Sequence, residues 1–249
     1  MKINKKAFNF IIIILFCVVG AKAQDDGFSP QIWNNIYVGW NINERLVLRN
    51  SIALNVLLNK TDPWNEFSYS GNIIYKINSF IEGSTAMYFA STRQTKQLNS
   101  VELRPFVGIR FSTKPQKRWF LTNISRLEFR NFWYSKGNND LTLRFRNRTS
   151  AAFCLNKKTL AEDNNLSIYG YIEPFYNFEN NVTERFFTQL KFKVGFIYRF
   201  SFKWRLDVGL LYQDTKNNSG EISISPTNII TNYIFDWGIV YIFPSKKTG

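Results

Sequence analysis

The sequence contains no histidine, and this absence bears directly on enzyme function. Histidine is the usual general base of hydrolases and acyltransferases and a frequent metal ligand. A Walker loop, a dinucleotide fingerprint and paired cysteines are absent too, so no metal or cofactor is expected. A carboxylate-pair glycosidase needs no histidine, but Glu102, Glu128 and Glu173 lie beside arginines on the same face or have a ready structural role. We therefore expect the protein not to be an enzyme.

Cysteine is scarce, with only Cys17 and Cys154. Residues 1–23 have a basic start, an uncharged apolar stretch and Ala-Lys-Ala at the end, which predicts a secretory signal peptide that is cleaved. The alternative, an N-terminal membrane anchor, needs ~20 apolar residues, more than residues 11–19 supply. Cys17 lies inside the apolar run, which argues against a lipoprotein. Cleavage would leave Cys154 alone, so residues 24–249 should fold without an internal disulfide.

Acidic residues are also few, 18 against 32 Lys and Arg, which gives a formal net charge of +14. In a cytoplasmic protein, this excess of basic residues would indicate binding to nucleic acid, but the predicted export of this chain argues against such a partner. No proline-rich linker or low-complexity block divides the chain. Residues 24–249 are therefore predicted to form a single domain.

No stretch after residue 23 shows a sustained helical period, whereas two-residue alternation recurs almost throughout. Residues 141–155 are the clearest case, because one face is mostly apolar and the other carries three arginines. The two faces are Leu141, Leu143, Phe145, Asn147, Thr149, Ala151, Phe153 and Leu155, against Thr142, Arg144, Arg146, Arg148, Ser150, Ala152 and Cys154. This division fits a wall between hydrocarbon and a polar interior.

The alternation predicts eleven strands, whereas single-chain outer-membrane barrels of bacteria have even numbers. We therefore expect the true number of strands to differ from eleven. Short and long connections alternate from Arg45 onward, so the ten strands that follow can close a barrel with both of their chain ends on the periplasmic side. Residues 32–42 are then an extra piece outside the barrel wall. Otherwise residues 221–225 form a further strand and the total is twelve. The strand number stays open between ten and twelve.

A soluble β-sandwich or lipocalin also alternates, with its apolar face inside. Three features favour a membrane barrel: strands of twelve or more residues, the signal peptide, and tryptophans at strand ends. These tryptophans are Trp40, Trp64, Trp119, Trp133 and Trp204, with Trp237 as an exception. The predicted fold is an all-β, transmembrane, antiparallel up-and-down β-barrel in the bacterial outer membrane.

Four short motifs carry a family resemblance: Glu102-x-Arg104, Arg126-x-Glu128-x-Arg130, Arg144-x-Arg146 and Glu173-Pro174-Phe175. In this order, they resemble a bacterial outer-membrane β-barrel family catalogued as domain of unknown function 2490. The likeness covers most of residues 24–249. It implies the fold and the location, and it brings no known activity or site.

Two functions remain open. The first is a narrow, porin-like pore whose arginine-rich lumen favours anions or acidic small solutes. The second is a closed barrel, filled by ion pairs, with a structural or partner-binding role at the cell surface through residues 93–100 and 214–228. The candidate lumen-lining charges are Arg49, Glu102, Arg104, Arg110, Arg126, Glu128, Arg130, Arg144, Arg146, Arg148, Glu173, Arg185, Lys191 and Lys193.

The expected partners follow from the predicted location. They are the lipid and lipopolysaccharide of the outer membrane and, during insertion, the barrel-assembly machinery. No nucleic acid is expected, and the oligomeric state is not predicted.

Overall fold

The computed structural model describes residues 30–58, 64–93, 99–114, 117–137, 139–178, 187–216 and 229–244. These residues form eleven β-strands: β1 (Gln31–Asn41), β2 (Leu46–Leu57), β3 (Asn65–Lys76), β4 (Ile81–Arg93), β5 (Asn99–Ser112), β6 (Trp119–Tyr134), β7 (Asp140–Cys154), β8 (Asn165–Asn177), β9 (Phe187–Arg199), β10 (Trp204–Lys216) and β11 (Ile229–Phe243). Within the described ranges, no helix is long and apolar enough to cross a membrane.

The eleven strands close into one barrel in the order β1-β11-β10-β9-β8-β7-β6-β5-β4-β3-β2. Consecutive strands pair antiparallel, but β1 and β11 pair in parallel, from Gln31 opposite Ile234 to Trp40 opposite Phe243. The expectation of an even number was wrong, because that rule holds when the closing pair is also antiparallel. Residues 32–42 therefore belong to the wall and are not an extra piece. Residues 221–225 lie outside the described residues.

The connections divide between two rims because neighbouring strands run in opposite directions. The turn rim carries residues 42–45, 77–80, 155–164 and 200–203 and the described residues 113–114 and 117–118. The loop rim is the opposite one, at which β2, β4, β6, β8 and β10 end. Asn43 and Asn78 tighten two of the turns, because the side-chain oxygen of each accepts two backbone N–H groups. The predicted strict alternation of short and long connections fails at residues 155–164, the longest connection of the turn rim.

Alternation along the strands separates apolar from polar side chains. Every strand exposes large apolar side chains on the outer face, among them Ile36, Ile52, Phe67, Phe89, Val107, Phe129, Leu141, Ile172, Phe192, Leu210 and Tyr233. The interior buries polar side chains, among them Gln31, Asn55, Ser68, Glu102, Glu128, Arg130, Thr142, Arg144, Glu173, Lys193 and Gln213. This arrangement is the reverse of a soluble barrel, whose apolar face points inward.

Strand β7 shows the predicted two faces. Leu141 is 65% exposed on the outer face, whereas Arg144 is 4% exposed in the interior. Asn147 is a polar residue on the outer face, and it forms hydrogen bonds of 2.8–3.1 Å with Asn123 and Ser125 of β6. The polar atoms of this outer-face group therefore have partners on the neighbouring strand.

The tryptophans at the strand ends divide between the two faces. Trp119, Trp133 and Trp204 are 43–48% exposed on the outer face. The prediction was wrong for Trp64, which is only 6% exposed and packs against Leu57. Its position near a strand end was right, but it has the same phase along the strand as the inward side chains of β3.

Candidate functional site

Glu128 on β6 is the centre of a charged network on the inner face of β5 to β8, and it is 0% exposed. One carboxylate oxygen lies 2.6 Å from Nη2 of Arg144 and 3.8 Å from Nη1 of Arg104. The other oxygen lies 2.8 Å from Nε of Arg146. Three arginines from β5 and β7 therefore surround one buried carboxylate.

Glu102 on β5 forms a second centre, and its exposure is 4%. Arg104 donates to both carboxylate oxygens, at 2.7 and 2.5 Å. Arg130 on β6 does the same, at 2.7 and 3.2 Å. Such paired donation is the strongest hydrogen-bonded form of an ion pair, so Glu102 joins β5 firmly to β6.

Glu173 on β8 is the third centre. Arg148 lies 2.8 Å from one of its oxygens and Arg146 lies 3.5 Å from the other. Because Arg146 also reaches Glu128, and Arg104 reaches both Glu102 and Glu128, the three carboxylates form one continuous network. We call it the interior lattice, and its members are Glu102, Arg104, Glu128, Arg130, Arg144, Arg146, Arg148 and Glu173.

Aromatic rings cover the guanidinium groups of the lattice. The Arg104 guanidinium lies 4.2 Å from the ring centre of Tyr88, and that of Arg130 lies 4.6 Å from the ring centre of Phe132. Each contact adds a cation–π attraction and removes water from the cation. A charge enclosed in this way costs several kcal/mol unless it is paired, so the carboxylates are required for the arginines to be buried.

Lys193 on β9 forms a separate bridge across three strands. Its Nζ lies 3.0 Å from Asp207 of β10 and 2.8 Å from Asp236 of β11. Asp236 also accepts a hydrogen bond of 2.8 Å from Asn35 of β1, and Asp207 accepts one from the Tyr169 hydroxyl. Asp236 was not predicted as a site residue, because its strand is mostly apolar. Its position between Phe235 and Trp237 nevertheless indicates an inward side chain, since successive residues of a strand point to opposite faces.

Three predicted cations have no carboxylate within 4 Å among the described residues: Arg49, Arg126 and Lys191. Arg126 lies over the ring of Phe106 at 4.9 Å, and Lys191 lies over the indole of Trp33 at 4.5 Å. The described interior therefore holds more positive than negative charge.

The two remaining predicted residues have other surroundings. Arg110 pairs with Glu82 at 2.7 Å near the turn rim, where both side chains are partly exposed. Arg185 lies outside the described residues. No group of three or more Cys, Asp or Glu side chains in the described part of the chain is placed to hold a metal ion.

Comparison with known proteins gives one family. Residues 30–223 match the family described as "Protein of unknown function (DUF2490)". The matched range contains β1 to β10 and every residue of the interior lattice, whereas β11 lies beyond it. No curated protein matches the chain.

Proposed function

The chain belongs to the DUF2490 family, whose description assigns no activity, and from that premise we propose an outer-membrane β-barrel that is closed by its interior lattice. In this proposal the barrel has a structural or partner-binding role at the cell surface and does not conduct solutes. Its partners are outer-membrane lipid and lipopolysaccharide, with the barrel-assembly machinery during insertion. It catalyses no reaction, which the absence of histidine supports.

The outer face supports the membrane location. Exposed apolar side chains on all eleven strands form a larger apolar surface than soluble monomers tolerate. Polar atoms within this surface have partners: the indole N–H of Trp237 donates to Asn34 at 2.6 Å, and Asn34 donates to the Leu54 carbonyl at 2.8 Å. Hydrocarbon requires such pairing, because it offers no hydrogen bonds.

Aromatic side chains at the turn rim also support this location. Trp40 stacks on Phe243 at 5.3 Å, Phe243 contacts Tyr241 at 4.6 Å, and Tyr241 contacts Trp204 at 4.5 Å. Aromatic girdles of this kind lie at the headgroup level of membrane barrels. With the shorter connections on the periplasmic side, the turn rim faces the periplasm and the loop rim faces the cell exterior.

The burial of the interior lattice is the main observation that supports a closed barrel. Glu128, Arg130 and Glu173 are 0–2% exposed although they point into the barrel. Side chains that line an open channel would contact water. A barrel of ~8 strands is just filled by its side chains, and in this proposal the long arginines and aromatic rings of the interior close the wider bore of eleven strands.

Single-channel recording in planar lipid bilayers tests the closed state. We expect no regular conductance steps from the purified protein, whereas a general porin in the same bilayer gives them. Flotation with vesicles and resistance to protease establish that the silent protein is inserted. Regular steps from inserted protein would overturn the closed barrel, and failure to insert would overturn the membrane location.

A narrow anion-selective pore is the second candidate, and it is favoured by Arg126 and Lys191, which have no carboxylate within 4 Å in the described part of the chain. Basic side chains in a lumen favour anions over cations. If regular steps occur, the reversal potential under a salt gradient should show anion preference, and Lys191→Gln should reduce it. A preference for cations would exclude this mechanism as well.

A further inference from the structure

A cavity of about 280 Å³ lies inside the barrel at the turn rim. Three arginines on different strands line it: Arg110 of β5, Arg199 of β9 and Arg205 of β10. None of the residues that line it is acidic, whereas Thr122, Ser150 and Ser167 contribute hydroxyl groups. The lining therefore offers positive charge and hydroxyl groups to one volume that is partly open to solvent, and the Arg205 side chain is itself exposed.

Arg199 and Arg205 lie directly opposite each other in the pairing of β9 with β10. Like charges at opposed positions destabilise a sheet. Arg205 has no carboxylate within 4 Å among the described residues, and the nearest to Arg199 is Asp163, at 3.9 Å and with its side chain 53% exposed. The Nε of Arg199 is buried and has no hydrogen-bond acceptor. Arg205 therefore keeps its charge without an ion pair in the described part of the chain, and Arg199 keeps one donor without an acceptor.

Arg49 adds to the positive potential around the cavity. Arg49 lies within electrostatic range of both Arg110 and Arg205, and it forms no ion pair in the described part of the chain. Glu82, paired with Arg110 at 2.7 Å, and Asp163, 3.9 Å from Arg199, offset part of this charge. Four arginines near the cavity thus face two carboxylates, so the turn-rim end of the interior carries net positive charge.

An apolar wall and an ordered connection complete the cavity. Leu160, within residues 155–164, lines it together with Phe120 and Ile197. This connection is held in place by hydrogen bonds from Asn165 to the Thr159 carbonyl at 2.7 Å and from Arg199 to the Leu160 carbonyl at 3.5 Å. The cavity therefore has a basic side and an apolar side.

We propose that this cavity binds a small organic oxyanion. Arg199 and Arg205 hold its carboxylate or phosphate group through the paired donors of their guanidinium groups. The apolar body of the ligand packs against Phe120, Leu160 and Ile197, as in other small-molecule sites. This site goes beyond the proposed function, because binding requires neither conduction nor insertion into a membrane.

Isothermal titration calorimetry on the full chain in detergent tests the proposal, with benzoate and phenyl phosphate as probes. We expect both to bind and benzyl alcohol, which has a similar body without charge, not to bind. Inorganic phosphate should bind more weakly than phenyl phosphate. Absence of binding by both anions, or equal binding of benzyl alcohol, would overturn the site, and equal binding of inorganic phosphate would overturn the role of the apolar wall.

Variants locate the binding. Arg205→Gln should weaken benzoate binding roughly tenfold or more, because it removes a charged donor. Arg45→Gln makes the same chemical change at the same rim but outside the cavity, and it should leave binding unchanged. Leu160→Asp places a carboxylate at the cavity wall from an irregular connection and should abolish binding, so the test does not depend on folding of the Arg205 variant. Unchanged binding in folded Arg205→Gln or Leu160→Asp protein would contradict the proposal.

Discussion

Replacement of Glu128 by glutamine tests the central idea that the interior lattice stabilises the barrel. The two side chains have nearly the same shape, so the change removes the negative charge and little else. Arg104, Arg144 and Arg146 then keep their positive charges around a neutral amide in a buried place. The amide nitrogen would also face guanidinium donors where a carboxylate oxygen now accepts.

The burial of Glu128 sets the expected magnitude. Breaking a buried ion pair by removal of one partner costs about 3–5 kcal/mol, because the other charge is left uncompensated. Glu128 is 0% exposed and its ion pair with Arg144 is 2.6 Å long, so the upper part of this range applies. We expect the free energy of unfolding of Glu128→Gln to be lower than that of the wild type by about 4 kcal/mol.

Urea unfolding of the protein refolded in lipid vesicles, followed by tryptophan fluorescence, measures this difference. Glu82→Gln is the matched control, since the Glu82–Arg110 pair has 21% and 30% side-chain exposure. A pair of this kind contributes only about 0–1 kcal/mol. The two variants make the same chemical change in the same barrel and differ in burial and in the number of arginine partners.

A double-mutant cycle between Glu128→Gln and Arg144→Gln isolates their interaction. We expect a coupling energy of at least about 1 kcal/mol, within the range for residues in one ion-pair network. If Glu128→Gln unfolds within about 1 kcal/mol of the wild type, the lattice does not stabilise the barrel. The closed interior would then have no stabilisation from its ion pairs.

Three further outcomes are expected in the same unfolding assay. Arg126→Gln should cost less than about 1 kcal/mol or stabilise the barrel, because this cation has no ion pair among the described residues; a loss as large as that of Glu128→Gln would contradict this. Gly195→Ala should be strongly destabilising, since its Cβ would clash with the Val208 carbonyl oxygen, whereas Gly83→Ala, whose Cβ would meet Ile77 Cδ1 at an ordinary 4.0 Å, should be near neutral; equal stabilities would refute the close backbone approach. Asp236→Asn should lower stability by about 3 kcal/mol, because Lys193 loses a buried charge partner, and an unchanged urea midpoint would contradict it.

The two faces of β7 could be predicted from the sequence because strand alternation is a local property. Leu141 and Arg144 differ in phase, and phase alone decides which side of the wall each occupies. The same logic predicted that Glu102 and Glu128 share a face with arginines of their own strands, whereas the strand of Glu173 contains no arginine and left its neighbours open. Trp64 shows the limit of arguments from position: its place near a strand end indicated a girdle, but its phase directs it inward.

Closure of the barrel could not be predicted in the same way. The pairing of Gln31 with Ile234 joins residues at opposite ends of the described chain, and local patterns do not report such a contact. Which arginine meets which carboxylate also depends on the register between strands. Arg104 pairs with its sequence neighbour Glu102, as alternation suggests, but its second carboxylate, Glu128 at 3.8 Å, lies on the next strand and depends on that register.

The parallel contact between β1 and β11 has a consequence for how the barrel is made. Hydrogen bonds across this seam, such as that from Asn35 to Asp236, span 201 positions of the chain. Until β11 is in place, β1 and β10 are the two free edges of an open sheet, and such edges readily pair with other chains. Contacts this distant in sequence also slow folding. Docking of β11 therefore decides whether the described strands close on themselves or leave edges that can aggregate.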